Sequence, residues 1–187
     1  MKYNKDGILL HGMYYIWEHG YHNSGINDIL NSSQIPKGSF YNHFKSKEDF
    51  CVEVLDLYCN ILHTSLDEYL TDKNFQPFDR IRNFYLNQIE QSFESNFVRG
   101  CLLCNLALEI GASSKKLRKE LTHHLQTNLA LITKCMEDAE DKGMLREDLS
   151  AYQAASIVQN NWFGAMLKTK AMGKVEPLNE FLEITFG

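Results

Sequence analysis

Apolar residues recur every three or four positions along almost the whole chain. Nowhere do they alternate over a sustained run bounded by hairpin turns. A chain with that period buries its apolar side chains as helix faces, so the fold class read from it is all-α. A first helix over about residues 5–19 places Ile8, Leu9, Met13, Ile16 and Trp17 near one face, and Gly20 ends it. A short second helix follows Ser24-Gly25 and stops at Asn31-Ser32-Ser33. Pro36 fits the first turn of a third short helix, and Ser46 fits the N-cap of a long fourth one, with Asp49 three residues on. The segment TDKNFQP, 71–77, is the clearest linker. Beyond it the periodicity predicts helices over about 78–93, 101–110, 114–142, 150–170 and 177–186. In the 150–170 helix, Ala151, Ala154, Ala155, Val158, Trp162, Ala165 and Met166 form a wide apolar stripe.

The 187 residues are 44% hydrophobic and 12% aromatic, enough for a sizeable core in one or two small domains. No run of about 18 uninterrupted apolar residues occurs, which argues against a membrane span. The N-terminal stretch is broken by His11, Glu18 and His19 and lacks a signal-peptide pattern, so the expected location is the cytoplasm. Five cysteines, an odd number, point to free thiols rather than a disulfide framework. The net charge of -5 weighs against nucleic acid as a partner, but its distribution matters more. Residues 1–50 hold five lysines against five acids, and three of those lysines fall between positions 37 and 47.

Those three lie in QIPKGSFYNHFKSKEDF, residues 34–50, which also crowds four aromatic rings and a histidine together. Two short helices joined by a tight turn, after a longer first one, have the spacing of a helix-turn-helix. The front of the third helix would then be Lys37-Gly38-Ser39. Lysine and serine reach base edges or phosphate, and glycine leaves nothing to hold the backbone away from a duplex. Tyr41 and His43 carry donors suited to phosphate, and Lys47 adds charge in the first turn of the fourth helix. Phe40 and Phe44, four apart, would pack inward against Ile16, Trp17 and Ile29.

With these residues in place, the segment GYHNSGINDILNSSQIPKGSFYNHFKSKEDF closely resembles the DNA-binding signature of the TetR family of bacterial regulators. The matching positions are Gly20-Tyr21, Asp28-Ile29, Gly38, Tyr41, His43, Phe44 and Lys47, within about residues 7–55. The resemblance implies a three-helix DNA-binding domain, 1–48, and a helical-bundle effector and dimerisation domain, 49–187. It also implies a homodimer on palindromic double-stranded operator DNA, with two copies of the 150–170 stripe and the last helix forming a four-helix interface. Two departures stand out. Gly25 occupies a position where the family often has Thr or Ser, leaving Ser24 or the Gly25 N–H to meet phosphate. The arginine-rich leader is reduced to Lys2 and Lys5.

A second motif is RGCLLCNLALEIG, residues 99–111. Cys101 would lie in the first turn of a helix, where the dipole and free N–H groups stabilise a thiolate, with Arg99 beside it. Cys104 follows three residues on, and a disulfide within one helical turn is geometrically poor. A metal at this pair would need two further ligands, and His123-His124 point different ways, so no metal or cofactor is expected. Gly-Cys-Leu here, with Gly-Ala-Met-Leu at 164–167 and Glu-Pro-Leu at 176–178, resembles the electrophile-responsive, N-ethylmaleimide repressor-like branch of the family. That resemblance marks Cys101 as an effector position, with Lys170 as a cationic neighbour. The alternative effector is an apolar small molecule held between helices, with Tyr58, Phe84, Tyr85, Trp162 and Phe163 as liners. The competing function class is a thiol-based helical-bundle enzyme. Against it, the seven histidines are scattered and no Ser-His-Asp, His-Glu-x-x-His or phosphate-loop pattern occurs. The expectation is a regulator and not an enzyme.

Overall fold

The structure is a computed structural model that describes residues 4–93, 97 and 99–187. Lys2, expected to support DNA binding, lies outside the described residues. Among them are nine helices and no strands: α1 Lys5–His19, α2 Ile26–Ser32, α3 Lys37–Tyr41, α4 Lys47–Thr71, α5 Pro77–Phe93, α6 Leu102–Ile110, α7 Lys115–Asp141, α8 Ala151–Met172 and α9 Glu176–Phe186. The chain divides into two compact units, Met1–Ile61 with Cys101–His124, and Leu62–Gly100 with Leu125–Gly187.

Local chemistry sets the helix ends. The Asn4 side chain accepts the Gly7 N–H at 2.9 Å and starts α1. Gly20, at φ 80°, ends it in a conformation that a side chain would strain. Ser46 accepts the Asp49 N–H at 3.0 Å while its hydroxyl donates to the Asp49 carboxylate at 2.8 Å, which fixes the start of α4. Ser150 and Gln153 form a reciprocal capping box on α8. Four starts fall one residue later than the sequence suggests, and two of these bear on the sites. Pro36 is the N-cap of α3, with ψ 135°, rather than part of its first turn, and Cys101 is the N-cap of α6, with ψ 118°. Extended backbone at these two positions keeps both residues outside the helical run.

The core of the first unit is a triangle of rings. Phe40 lies 5.1 Å from both Phe44 and Phe50, and Phe44 lies 4.8 Å from Phe50. All three are essentially fully buried, as are Ile8, Ile16 and Ile29. Each such side chain is worth roughly 1.5–3 kcal/mol of burial. Phe50, from α4, closes this triangle, whereas the Trp17 ring meets Tyr58 edge-on at 5.1 Å. That partner differs from the expected packing of Trp17 on Phe40 and Phe44.

In the second unit α8 packs on α9, and α9 on α5. Tyr85 of α5 meets Trp162 of α8 at 4.6 Å and Phe181 of α9 at 5.0 Å. The whole α8 stripe, from Ala151 to Met166, is buried inside this unit. The expectation that the stripe itself forms a dimer interface is therefore corrected: it is core. Arg80 is a buried charge that periodicity did not reveal. Its guanidinium donates to Asp138 at 2.8 Å and to the carbonyls of Phe75 and Leu70 at 2.9 and 3.4 Å. Hydrogen bonds from Lys73 and Arg80 hold the Asp138 carboxyl down to about 2. Among the described residues no helix is long and apolar enough to cross a membrane, and no group of three or more His, Cys, Asp or Glu could hold a metal ion.

Candidate nucleic-acid interface and thiol site

The five residues of α3 divide cleanly. Phe40 faces the core, while Lys37, Gly38 and Tyr41 face solvent and Ser39 is half-buried. The chain then turns, with the His43 N–H bonded to the Phe40 carbonyl at 2.9 Å, and His43 is exposed while Phe44 is buried. The Lys37 ammonium sits 6.0 Å from the Tyr41 ring centroid, so the two act as neighbours on one face. A Cβ on Gly38 would meet nothing within 4 Å, so the surface there is open. Lys37, Gly38, Ser39, Tyr41 and His43 are thus brought together on one short segment braced by buried rings.

Three other expected contacts behave differently. Ser24 is fully buried, and its hydroxyl donates to the Gly20 carbonyl at 2.5 Å. Its hydroxyl is spent on the α1–α2 turn, so the expectation that it meets phosphate is corrected. Gly25 is the N-cap of α2, and a Cβ there would lie 2.5 Å from the Asp28 carboxylate. An acid therefore already occupies the neighbourhood of that helix start. Lys47 is half-buried, donates to the Tyr21 carbonyl and lies 4.1 Å from the Tyr21 ring centroid. Burial lowers its pKa. Its first structural task is to pin the start of α4 to the turn after α1. Lys5, from the shortened leader, pairs with Glu53.

That same turn is held from the other side by α6. The Glu109 carboxylate accepts the His22 N–H at 3.2 Å, and the Glu109 backbone carbonyl bonds the His22 ring at 3.1 Å. A Cβ on Gly20 would come within 2.8 Å of the Glu109 carboxylate, so close approach and positive φ both require glycine there. Sequence reading missed His22 and Glu109. They lie 87 residues apart, and no local pattern marks such a pair.

Cys101 sits at the opposite end of α6. Gly100, at φ 62°, turns the chain so that Cys101 caps the helix. Only 8% exposed, Cys101 accepts a hydrogen bond from the Tyr58 hydroxyl at 3.7 Å. No hydrogen bond of ordinary geometry closes the cap, but the N–H groups of Leu103 and Cys104 face the sulfur closely enough to favour its charged form. A hydrogen bond from the Cys104 thiol is the largest influence, and together these donors outweigh burial and lower the Cys101 pKa. The other four thiols go the opposite way. Burial pushes Cys51 up to about 12 and raises Cys59 and Cys135, and the bond with Cys101 raises Cys104. Lys170 belongs to the second unit, exposed in the last turn of α8. Within the first unit Cys101 is surrounded by Tyr58, Cys59 and Cys104. Of the proposed apolar liners, Tyr58 faces this thiol, and Phe84, Tyr85 and Trp162 are packed in the core of the second unit.

Comparison with known proteins converges with this geometry. Residues 8–54 match the model of the bacterial regulatory proteins of the tetR family, and residues 77–185 match that of the tetracyclin repressor-like C-terminal domain. The HTH-type transcriptional repressor DhaR from Mycobacterium sp. (strain GP1) is 33% identical, covering 90% of this chain and 83% of its own. The crystal structure of regulatory protein TetR from Rhodobacter sphaeroides superposes with a TM-score of 0.90 at 30% identity, covering 95% of this chain and 94% of that one. The reduced form of Escherichia coli NemR superposes with a TM-score of 0.84 at 27% identity, covering 96% and 93%. NemR is itself named an HTH-type transcriptional repressor. Family models over both halves, and a relative at one-third identity along most of the chain, place the protein in the TetR family of transcriptional regulators, NemR among its relatives, and not among enzymes.

Proposed function

We propose that the protein is a repressor that grips a palindromic operator as a homodimer and lets go when an electrophile or oxidant modifies Cys101. The observation that carries the first half is the division of residues 37–44: Phe40 and Phe44 anchor the segment, while Lys37, Gly38, Tyr41 and His43 are free to meet a duplex. In this reading residues 1–48 bind DNA and 49–187 serve the effector and the dimer. The names of DhaR and NemR support repression as the direction of control. A regulator of this kind acts where the DNA is, in the cytoplasm.

The second half rests on α6. Its nine residues span about 13 Å at the helical rise, with Cys101 at one end and the Glu109 grip on His22 at the other. A Cys101 thiolate adding to an activated carbon–carbon double bond forms an S–C bond. The π pair moves to the neighbouring carbon, which then takes a proton from water. The adduct needs room that Cys101, 8% exposed and hydrogen-bonded by Tyr58, does not have. Displacing α6 to make that room disturbs the turn that sets α2 and α3. The dimer reading draws support from apolar side chains left outside on α8 and α9: Ile157, Leu167 and Ile184 are 48%, 56% and 80% exposed.

The test is operator binding before and after treatment with N-ethylmaleimide. Wild-type protein is expected to lose binding and Cys101→Ser to keep it. A Cys101→Ser protein that still releases DNA on treatment contradicts the effector reading.

A further inference from the structure

Cys101 and Cys104 have the spacing of a dithiol, and the backbone removes the usual objection to joining them. Side chains three apart within a regular helix stand about 5–6 Å apart at Cβ, too far for a disulfide. Cys101 is not within the helix. It is the N-cap, with φ -90° and ψ 118°, and Cys104 is the third residue of α6. An N-cap side chain lies beside the first turn, on the side of the third helical residue, and here it does so without closing a cap hydrogen bond. The two thiols lie close enough that each shifts the other, Cys101 toward the thiolate and Cys104 toward the thiol. Both thiols are free, and Cys104 is less buried than Cys101, which opens a path for a small oxidant.

We propose that Cys101 and Cys104 form a redox dithiol that a peroxide closes into a disulfide across the N-terminus of α6. The Cys101 sulfur attacks a peroxide oxygen, the O–O bond breaks, and Cys101 becomes a sulfenic acid while the alcohol or water leaves. The Cys104 sulfur then attacks the Cys101 sulfur. The S–S bond forms, the S–O bond breaks, and the hydroxide leaves as water with the Cys104 proton. The sum is one dithiol and one peroxide giving one disulfide, one alcohol or water, and one further water. The division of labour fits the two sulfurs. Tyr58 and the Leu103 and Cys104 N–H groups stabilise Cys101 as the nucleophile, and Cys104 keeps its proton until it resolves the intermediate. Cys59 of α4 also faces Cys101, but its thiol is fully buried and held protonated by burial. Cys104 thereby gives Cys101 a reversible oxidation product that an alkylating electrophile does not.

This inference deepens the effector reading of Cys101, yet its chemistry is read without DNA, so the two fail separately. Trypsin cuts after Arg99 and Lys115, releasing one peptide, 100–115, that holds Cys101 and Cys104 and no other cysteine. Full-length protein is treated with hydrogen peroxide, its remaining thiols are alkylated, and the peptides are weighed. The expected peptide is unalkylated and lighter by the two thiol hydrogens, and dithiothreitol restores two alkylation sites. In Cys104→Ser the expected product is Cys101 carrying two or three oxygens, beyond rescue by dithiothreitol. The proposal is overturned if wild-type Cys101 gains oxygens while Cys104 stays alkylatable. It is equally overturned if 100–115 is bridged to peptide 48–73, which carries Cys51 and Cys59. A disulfide that forms without releasing DNA leaves the dithiol intact and removes only the release reading.

Discussion

At Cys101 the balance between burial and donated hydrogen bonds decides the chemistry. Burial alone raises a thiol, as it does for Cys51, Cys59 and Cys135. Cys101 goes down because the Cys104 thiol, the first-turn N–H groups and the Tyr58 hydroxyl all point at its sulfur. Tyr58→Phe removes one donor that favours the thiolate, so the Cys101 pKa should rise and less thiolate remain at neutral pH. A net hydrogen bond of about 0.5–1.5 kcal/mol corresponds to roughly two- to tenfold slower alkylation at pH 7, with the midpoint of the rate profile moved to higher pH. Following the alkylation of peptide 100–115 against pH checks this, and an unmoved midpoint removes Tyr58 from the account. Residue-scale reading of the sequence put Cys101 in the first turn of a helix from its place after Gly100, and it lies one position earlier, as the N-cap. The same reading offered Ser24, or the Gly25 N–H, for the phosphate because Gly25 stands where the family often has Thr or Ser. Only the fold shows that the Ser24 hydroxyl is spent on the Gly20 carbonyl. Tyr58, 43 residues away from Cys101, could not be found by spacing.

Among the elements, α1 to α4 were legible because each end carries its own chemistry: Asn4, Gly20, Pro36 and Ser46 act locally, within a few residues. What each helix packs against is a long-range matter. The α8 stripe shows the difference. Its period correctly gave a helix with a wide apolar face, but the sequence does not say whether that face meets its own chain or a second copy. It meets Tyr85 and Phe181 of its own unit. The face left exposed is the less regular outer one, where Ile157 and Leu167 lie among Asn160, Asn161, Gly164 and Lys168 and Ile184 contributes from α9, and it is the face we propose for a second copy. A charge planted there should cost the dimer and spare the subunit. Leu167→Glu with Ile184→Glu is expected to sediment as a monomer with wild-type helical content. A dimer unchanged in mass would place the interface elsewhere.

For the whole molecule, the arrangement that matters is the company α6 keeps. The family models divide the chain at 54 and 77, whereas its first compact unit joins residues 1–61 to Cys101–His124. Cys101 and helices α1 to α3 therefore share one packed body. Besides Glu109 and His22, it is tied together by bonds from Ser114 to Glu48 and from Lys116 to Asp49. In that body the segment from Lys37 to His43 is the surface we propose for DNA, and its exposed side chains can be removed without touching the ring triangle beneath. The decisive measurement compares wild-type protein with a Lys37→Ala, Tyr41→Ala, His43→Ala variant. Each is titrated, across a salt series, with the DNA that wild type selects from a random pool. Wild type should bind with an affinity that falls linearly on a log–log salt plot, and the variant, equally helical, should bind at least about tenfold more weakly with a shallower slope. A folded variant that binds the same DNA as tightly, with the same salt dependence, would contradict the account.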